Sequence, residues 1–177
     1  MRALVVYESM FGNTEEVAHA VADGLAQTMQ VEARRVYDAP APVTTFVDLI
    51  VVGGPTHAFS MSRPASRAEA IEKGATRGDR DVGLREWIDG VKKGPHSELV
   101  AAFDTRYQRV RHLPGSAARK AMKLLRHDGY APAGVESFYV SDTAGPLLPG
   151  ELDRALAWGR RLGEDMESRA HGRPVRA

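Results

Sequence analysis

Short apolar runs along the chain predict five β-strands. They cover residues 3–7, 31–37, 49–52, 99–103 and 135–140. The first run is apolar enough to be buried on both faces, which is typical of a central strand in a parallel sheet, and the third run also predicts a buried strand. The second run alternates between apolar and polar residues, which indicates a strand with one exposed face.

Apolar residues that recur every three or four positions predict helices between these strands. The first helix begins at Asn13 or Thr14, and a second begins near Pro64. The other predicted inward faces are Leu84, Trp87, Ile88 and Val91; Ala118, Ala121, Met122 and Leu125, in a helix capped by Ser116; and Leu152, Ala155, Leu156, Gly159, Leu162 and Met166. The proline-rich connection at 39–43 is too short for a good helix.

The alternation of strands and helices predicts an α/β fold with a parallel sheet and helices on both faces. At 177 residues the chain is long enough for one domain with one core. We assign residues 1–170 to this domain and residues 171–177 to a basic C-terminal tail. The sequence does not decide the role of residues 58–95.

Composition excludes several classes of chemistry. There is no cysteine, so disulfides, thiolate catalysis and iron–sulfur clusters are excluded. A net charge of +1 argues against bulk attraction to nucleic acid or to a membrane surface. No apolar run approaches membrane-spanning length, and we expect a cytoplasmic protein. No metal-binding motif or catalytic triad stands out.

The loop at residues 9–14 joins the first strand to the first helix. A helix N-terminus has unpaired backbone N–H groups and a partial positive charge, which together favour an anion. Ser9, Asn13 and Thr14 can close around such an anion, and Gly12 allows a close backbone approach. The loop has no Lys or Arg, which argues against an ATP-hydrolysing loop. The alternative is an ordinary turn in which Asn13 caps the helix.

Residues 5–21 resemble the flavodoxin signature. Its defined positions are filled by Val5, Val6, Tyr7, Ser9, Gly12, Thr14, Ala18 and Val21. Residues 48–57 are similar to the third strand of that family and to the loop that covers its flavin. The resemblance implies a flavodoxin-like doubly wound five-stranded parallel sheet of order 2-1-3-4-5, with FMN at the carboxyl ends of the strands.

The resemblance also implies which residues bind FMN. The first loop would hold its phosphate, and residues 55–59 and 105–107 would form two walls around its ring. The predicted cofactor-binding residues are Ser9, Met10, Phe11, Gly12, Asn13, Thr14, Pro55, Thr56, His57, Phe59, Thr105, Arg106 and Tyr107. The third loop departs from the family pattern because it is basic and has no glycine before Gly115.

Residues 106–127 contain seven Lys or Arg and no Asp or Glu. This stretch is either a solvated helix face or a docking surface for an acidic partner or for the phosphates of a nicotinamide cofactor. The resemblance favours an FMN-binding electron-transfer protein with a redox partner protein. One alternative is an FMN-dependent NAD(P)H:quinone-type oxidoreductase, and a second is a binding module of the same fold without flavin.

Overall fold

A mainly parallel sheet forms the centre of the computed structural model, which describes residues 1–39, 41, 43, 46–91 and 93–172. Its strands are β1 (Arg2–Tyr7), β2 (Gln30–Arg35), β3 (Leu49–His57), β4 (Ser60–Met61), β5 (Leu99–Tyr107) and β6 (Ala131–Val140). The five long strands are parallel, in the order β2-β1-β3-β5-β6. This confirms the predicted order 2-1-3-4-5 of the long strands. The short strand β4 was not predicted.

Helices cover both faces of this sheet. They are α1 (Asn13–Leu25), α2 (Pro64–Glu72), α3 (Leu84–Asp89), α4 (Ala117–His127) and α5 (Glu151–Ala170), with a 3-10 turn at Gln108–Val110. One core lies between the sheet, α1 and α5, and the other between the sheet, α3 and α4. The described residues between β2 and β3 form no helix, as the sequence predicts.

Strands β3 and β5 extend further than predicted. The sequence predicted that they would end at residues 52 and 103, but parallel pairing continues through Gly54 with Asp104 and Pro55 with Thr105. Beyond Pro55, β3 pairs antiparallel with β4 in a tight hairpin. The predicted loops 54–59 and 104–107 are therefore mostly strand, because two long strands continue to satisfy each other's backbone groups.

The inward face of α5 differs from the prediction at two leucines. Leu152 and Leu156 are 42% and 39% exposed, and Trp158 is buried instead. The buried side of α5 is rotated relative to the prediction because α5 packs closely on α1 through Gly24 and Gly159. Beyond α5, residues 173–177 of the predicted basic tail lie outside the described residues, so the tail and the domain boundary remain predictions.

No helix in the described part of the chain is both long and apolar enough to cross a membrane.

A buried polar cluster joins α2 and α3 to the end of β1. Glu8 directly follows β1, and its Oε2 accepts a hydrogen bond of 2.7 Å from the backbone N–H of Leu84. Its Oε1 is buried and has no hydrogen-bond partner. The guanidinium of Arg67 is fully buried, forms an ion pair of 3.0 Å with Glu86 and donates to the Ser62 hydroxyl at 2.9 Å. These contacts attach the segment 58–95 to the strand that leads into the first loop.

We expect Gly159→Ala to lower the free energy of unfolding. A Cβ at Gly159 would lie 2.2 Å from the carbonyl oxygen of Val21, so the α1 backbone would have to move. Overpacking of this kind costs about 1–3 kcal/mol, against a gain of about 1 kcal/mol in helix propensity. Chemical denaturation measures the difference. Gly134→Ala is the control, since a Cβ added at Gly134 would lie 3.4 Å from the nearest atom, which is ordinary packing distance. A Gly159→Ala variant as stable as the wild type would contradict this packing.

We also expect Glu8→Gln to stabilise the protein increasingly as the pH rises. Burial raises the pKa of Glu8, and the nearby Ser62 hydroxyl, the hydrogen bond from Leu84 and the charge of Arg67 offset only part of that effect. Above the ordinary glutamate pKa the folded state therefore binds more protons than the unfolded state, so the wild type loses stability as the pH rises.

Denaturation of both proteins between about pH 4 and about pH 7 measures this effect. The free energy of unfolding of Glu8→Gln, relative to the wild type, should increase across that range. The exposed Glu72→Gln serves as the control. A difference that does not change with pH would show that the Glu8 pKa is not raised.

Candidate functional site

A cleft opens at the carboxyl ends of β1, β3, β5 and β6. It is lined by Met10, Phe11, Asn13, Thr14, Pro55, Thr56, His57, Thr105, Arg106, Tyr107, Val140 and Thr143. The structure thus brings together all of the predicted site residues except Ser9, Gly12 and Phe59. Parallel strands produce this convergence because their carboxyl ends meet at one edge of the sheet.

The loop at residues 9–14 is folded around the hydroxyl of Ser9. Its Oγ accepts hydrogen bonds from the backbone N–H groups of Gly12, at 3.2 Å, and Glu15, at 3.3 Å. Gly12 is the N-cap of α1, with φ +102°, and a Cβ there would find no atom within 4 Å. The interpretation that Asn13 caps the helix is therefore wrong. Its side-chain amide instead donates to the carbonyl oxygen of Ala144 at 3.0 Å.

Several backbone N–H groups of this loop are unpaired among the described residues, including three at its helical end. Within the described part of the chain, the N–H groups of Phe11, Asn13 and Thr14 have no acceptor. They lie at the N-terminus of a helix of 13 residues, where the helix dipole adds positive potential. The loop can therefore hold an anion by backbone donors alone.

Residues 70–78 cover the loop from one side. The side chain of Met10 is buried and packs with Ala70 and Ala75. The carbonyl oxygen of Met10 accepts a hydrogen bond of 3.1 Å from the backbone N–H of Arg77. Part of the segment 58–95 thus holds the loop in place.

A carboxylate beside the loop is neutralised by an arginine. Glu15 lies in the first turn of α1 and forms an ion pair of 2.7 Å with Arg35. Burial alone would raise the pKa of Glu15, but the hydrogen bond and the charge of Arg35 outweigh it, so that pKa is lowered. The carboxylate therefore stays ionised, and Arg35 reduces its repulsion of an anion in the loop.

A hydroxyl pair connects the loop to β5. The Oγ1 atoms of Thr14 and Thr105 lie 2.7 Å apart, and both residues are buried. On the other side of the cleft, the Thr56 hydroxyl donates to Asp104 Oδ2 at 3.0 Å and accepts from the Ala117 N–H at 2.9 Å. These contacts fix the first turn of α4 against the ends of β3 and β5. The second carboxylate oxygen of Asp104 is buried without a partner.

His57 lies at the end of β3 and is neutral at neutral pH. Its Nδ1 is 3.0 Å from the Ser66 hydroxyl oxygen. Burial, together with the nearby charge of Arg67, lowers its pKa. Phe59 lies beyond it at the tip of the hairpin, where it is 46% exposed and outside the cleft lining. Its role as a ring contact remains a prediction.

Arg106 lines the cleft, but its guanidinium is engaged elsewhere. It is buried, and its Nη2 donates to the carbonyl oxygens of Val110 at 2.8 Å and Leu113 at 3.2 Å. The side chain therefore supports the 3-10 turn that follows β5. Tyr107 precedes that turn, with the Arg109 guanidinium 5.9 Å from its ring centroid.

Sequence reasoning missed Val140 and Thr143, which come from β6 and the loop that follows it. This loop reaches the first loop through the Asn13–Ala144 hydrogen bond. Their position could have identified them, because the carboxyl end of the fifth predicted strand lies at the same edge of the sheet as the other loops. The complete cleft has a volume of about 90 Å³. Typical ligand pockets measure about 300–1,000 Å³, so this cleft would enclose only part of a cofactor.

No protein-family model matches the sequence, and no curated protein matches it. Solved structures do. A flavodoxin from the domain Archaea is 19% identical with a TM-score of 0.62, covering 94% of this chain and 99% of its own. Flavodoxin 2 from Bacillus cereus is 16% identical with a TM-score of 0.64, and the match covers 93% of this chain and 99% of that flavodoxin. A flavodoxin, WrbA-like protein from Agrobacterium tumefaciens is 16% identical with a TM-score of 0.55, covering 94% and 98%.

These structures match nearly the whole chain, while their sequence identities are too low to carry a function. The likeness agrees with the strand order and with helices on both faces of the sheet. The chain has the flavodoxin-like fold.

Proposed function

We propose that the protein binds FMN in the cleft and transfers electrons to or from a redox partner protein. The observation that carries the proposal is the set of unpaired N–H groups at Phe11, Asn13 and Thr14. They lie in the loop that matches the flavodoxin signature, and solved structures similar to this one are described as flavodoxins.

The first loop fits a phosphate monoester. It offers backbone donors at a helix N-terminus, and the space beside Gly12 is free of atoms within 4 Å of an added Cβ. The hydroxyls of Ser9 and Thr14 are close by. Charge-assisted hydrogen bonds of this kind are roughly twice as strong as neutral ones. Ser9, Met10, Gly12, Asn13 and Thr14 would hold the phosphate.

The rest of the cleft fits one edge of a flat ring. Residues 55–57 form one wall, residues 105–107 form the other, and Phe11 lies near the loop end. Aromatic side chains such as Phe11 and Tyr107 favour contact with a planar ring system. Because the cleft is small, much of the ring would remain at the surface, within reach of a partner protein.

The flavin would supply the electron chemistry, and the protein would supply binding and orientation. The Thr14–Thr105 pair fixes the phosphate loop relative to β5. The Thr56–Asp104 contact fixes the opposite wall. Neutral His57 contributes no charge to the site.

The first alternative is an FMN-dependent NAD(P)H:quinone-type oxidoreductase. The basic residues after β5 and the segment 58–95 favour it, because they offer cations for nucleotide phosphates and extra structure around the site. Steady-state consumption of NAD(P)H with a quinone separates this enzyme from an electron carrier. A flavin-free binding module is the second alternative, and a colourless protein that does not bind added FMN would support it.

We expect the protein to bind FMN in a one-to-one complex and to prefer it strongly to riboflavin. Removing the phosphate deletes several charge-assisted hydrogen bonds, each worth roughly 1.5–3 kcal/mol. Fluorescence titration of the apoprotein with both flavins measures the two dissociation constants. Equal affinities would refute the assignment of the first loop to phosphate.

We expect Thr14→Ala and Gly12→Val to weaken FMN binding without unfolding the protein. Thr14→Ala removes a hydroxyl donor, and Gly12→Val places a side chain where the phosphate would approach. The loss is about 1–3 kcal/mol for each variant, or roughly 5-fold to 150-fold in dissociation constant.

Gly150→Val is the matched control for Gly12→Val. Gly150 is the N-cap of α5 and also has a positive φ, of +83°, and a Cβ there would also find no atom within 4 Å. Both valines therefore carry similar backbone strain, but only one lies in the phosphate loop. Thr28→Ala, three residues beyond the last residue of α1, is the control for Thr14→Ala. FMN affinities unchanged from the controls would show that the loop is only a turn.

A further inference from the structure

We propose that the exposed side of α4, together with the turn after β5, is a docking surface for an acidic redox protein. We call this surface the basic face and define it by Arg109, Arg111, Arg119, Lys123 and Arg126. The inference rests on the proposed electron-transfer function and specifies the chemistry of its partner.

The residues of the basic face are exposed and are not neutralised. Among the described residues, none of the five forms an ion pair. The chain from 106 to 127 contains no Asp or Glu that could supply one. Arg106 belongs to the same sequence cluster but is buried and bonded to backbone carbonyls, so it is not part of this surface.

The acids nearest in sequence are occupied or buried. Asp128, which caps the end of α4, is buried and lies 3.9 Å from the ammonium group of Lys93. Glu136 on β6 forms an ion pair of 3.2 Å with Arg154. Asp104 lies under the start of α4 with no exposed surface. The positive potential of the basic face is therefore directed to solvent.

The basic face begins at the cleft. The Ala117 N–H at the start of α4 bonds to Thr56 in the cleft wall at 2.9 Å, and Arg109 lies over the ring of Tyr107. From there Arg119, Lys123 and Arg126 follow one side of a helix of 11 residues, or about 16 Å. A protein bound along the basic face would therefore lie next to the cleft in which FMN is proposed to bind.

A groove beside the basic residues of α4 contains apolar side chains. It lies between α4 and β6, has a volume of about 600 Å³, and includes Met122 and Val135 among the basic side chains. Val135 is 42% exposed. A surface with basic residues around an apolar patch complements a partner surface with carboxylates around an apolar patch. The basic face is also longer than the binding of two nucleotide phosphates requires. Its length therefore favours a protein over NAD(P)H as the ligand of this surface.

The test uses the FMN-loaded protein, reduced with dithionite, and two electron acceptors of opposite charge. One is an acidic plastocyanin and the other a basic cytochrome c. Stopped-flow spectroscopy measures the second-order rate constant with each acceptor at low and high ionic strength. We expect the rate with plastocyanin to fall roughly 10-fold or more as salt is added, and the rate with cytochrome c not to fall.

Charge reversal locates the effect on the molecule. The variant Arg119→Glu/Lys123→Glu/Arg126→Glu should lower the rate with plastocyanin at low salt by roughly 10-fold or more and remove its salt dependence. The control is Arg160→Glu/Arg161→Glu/Arg169→Glu on α5, which changes the net charge equally on the opposite side of the sheet. It should retain most of the wild-type rate. Equal rates in the α4 variant and the wild type, or equal losses in both variants, would overturn the proposal.

Two further measurements separate this inference from the proposed function. A protein that binds no FMN, or that reduces neither acceptor, contradicts the proposed function. The docking surface is then decided by the dissociation constant of the protein with plastocyanin, compared among the same variants by calorimetry at low salt. An α4 variant with a raised KM for NADPH in the quinone assay and an unchanged plastocyanin affinity would assign the surface to a nucleotide and refute our proposal.

Discussion

The parallel pairing of β1, β3 and β5 is the constraint on which the candidate site depends. It places the first loop, the end of β3 and the end of β5 at one edge of the sheet. Without that pairing, Thr14 and Thr105, which are 91 positions apart in the chain, would have no reason to form their buried contact of 2.7 Å. The walls formed by the first loop, the end of β3 and the end of β5 follow from this arrangement.

The second determining feature is a set of backbone groups that the fold leaves unpaired. A folded chain normally satisfies its buried N–H groups, so a cluster of free donors at the start of α1 requires a partner such as water or an anion. The Ser9 hydroxyl accepts from two N–H groups around the loop, and among the described residues those of Phe11, Asn13 and Thr14 have no acceptor. Glu15 is paired with Arg35, which limits repulsion of an anion. The unpaired donors and the neutralised carboxylate both support the proposal that this loop holds an anion.

The residues outside the signature shape the surroundings of this site. Segment 58–95 packs on Met10 and is attached to β1 through Glu8 and Leu84. After β5, Arg106 supports a turn, and the basic residues that follow it face solvent. The charge around the site is therefore particular to this chain, because surface charge is set by exposed side chains and not by the fold.

Local patterns along the chain predicted the long strands, the positions of most helices and the first loop, because periodicity and a helix N-terminus are encoded over a few consecutive residues. The order of the long strands came from the resemblance of residues 5–21 to the flavodoxin signature. It also identified most of the residues that line the cleft. The folded structure was needed to show that β3 and β5 extend to His57 and Tyr107, that Phe59 lies outside the cleft lining, and that Thr143 enters the cleft. Those outcomes depend on pairing and packing between segments distant in the chain, and no local pattern contains that information.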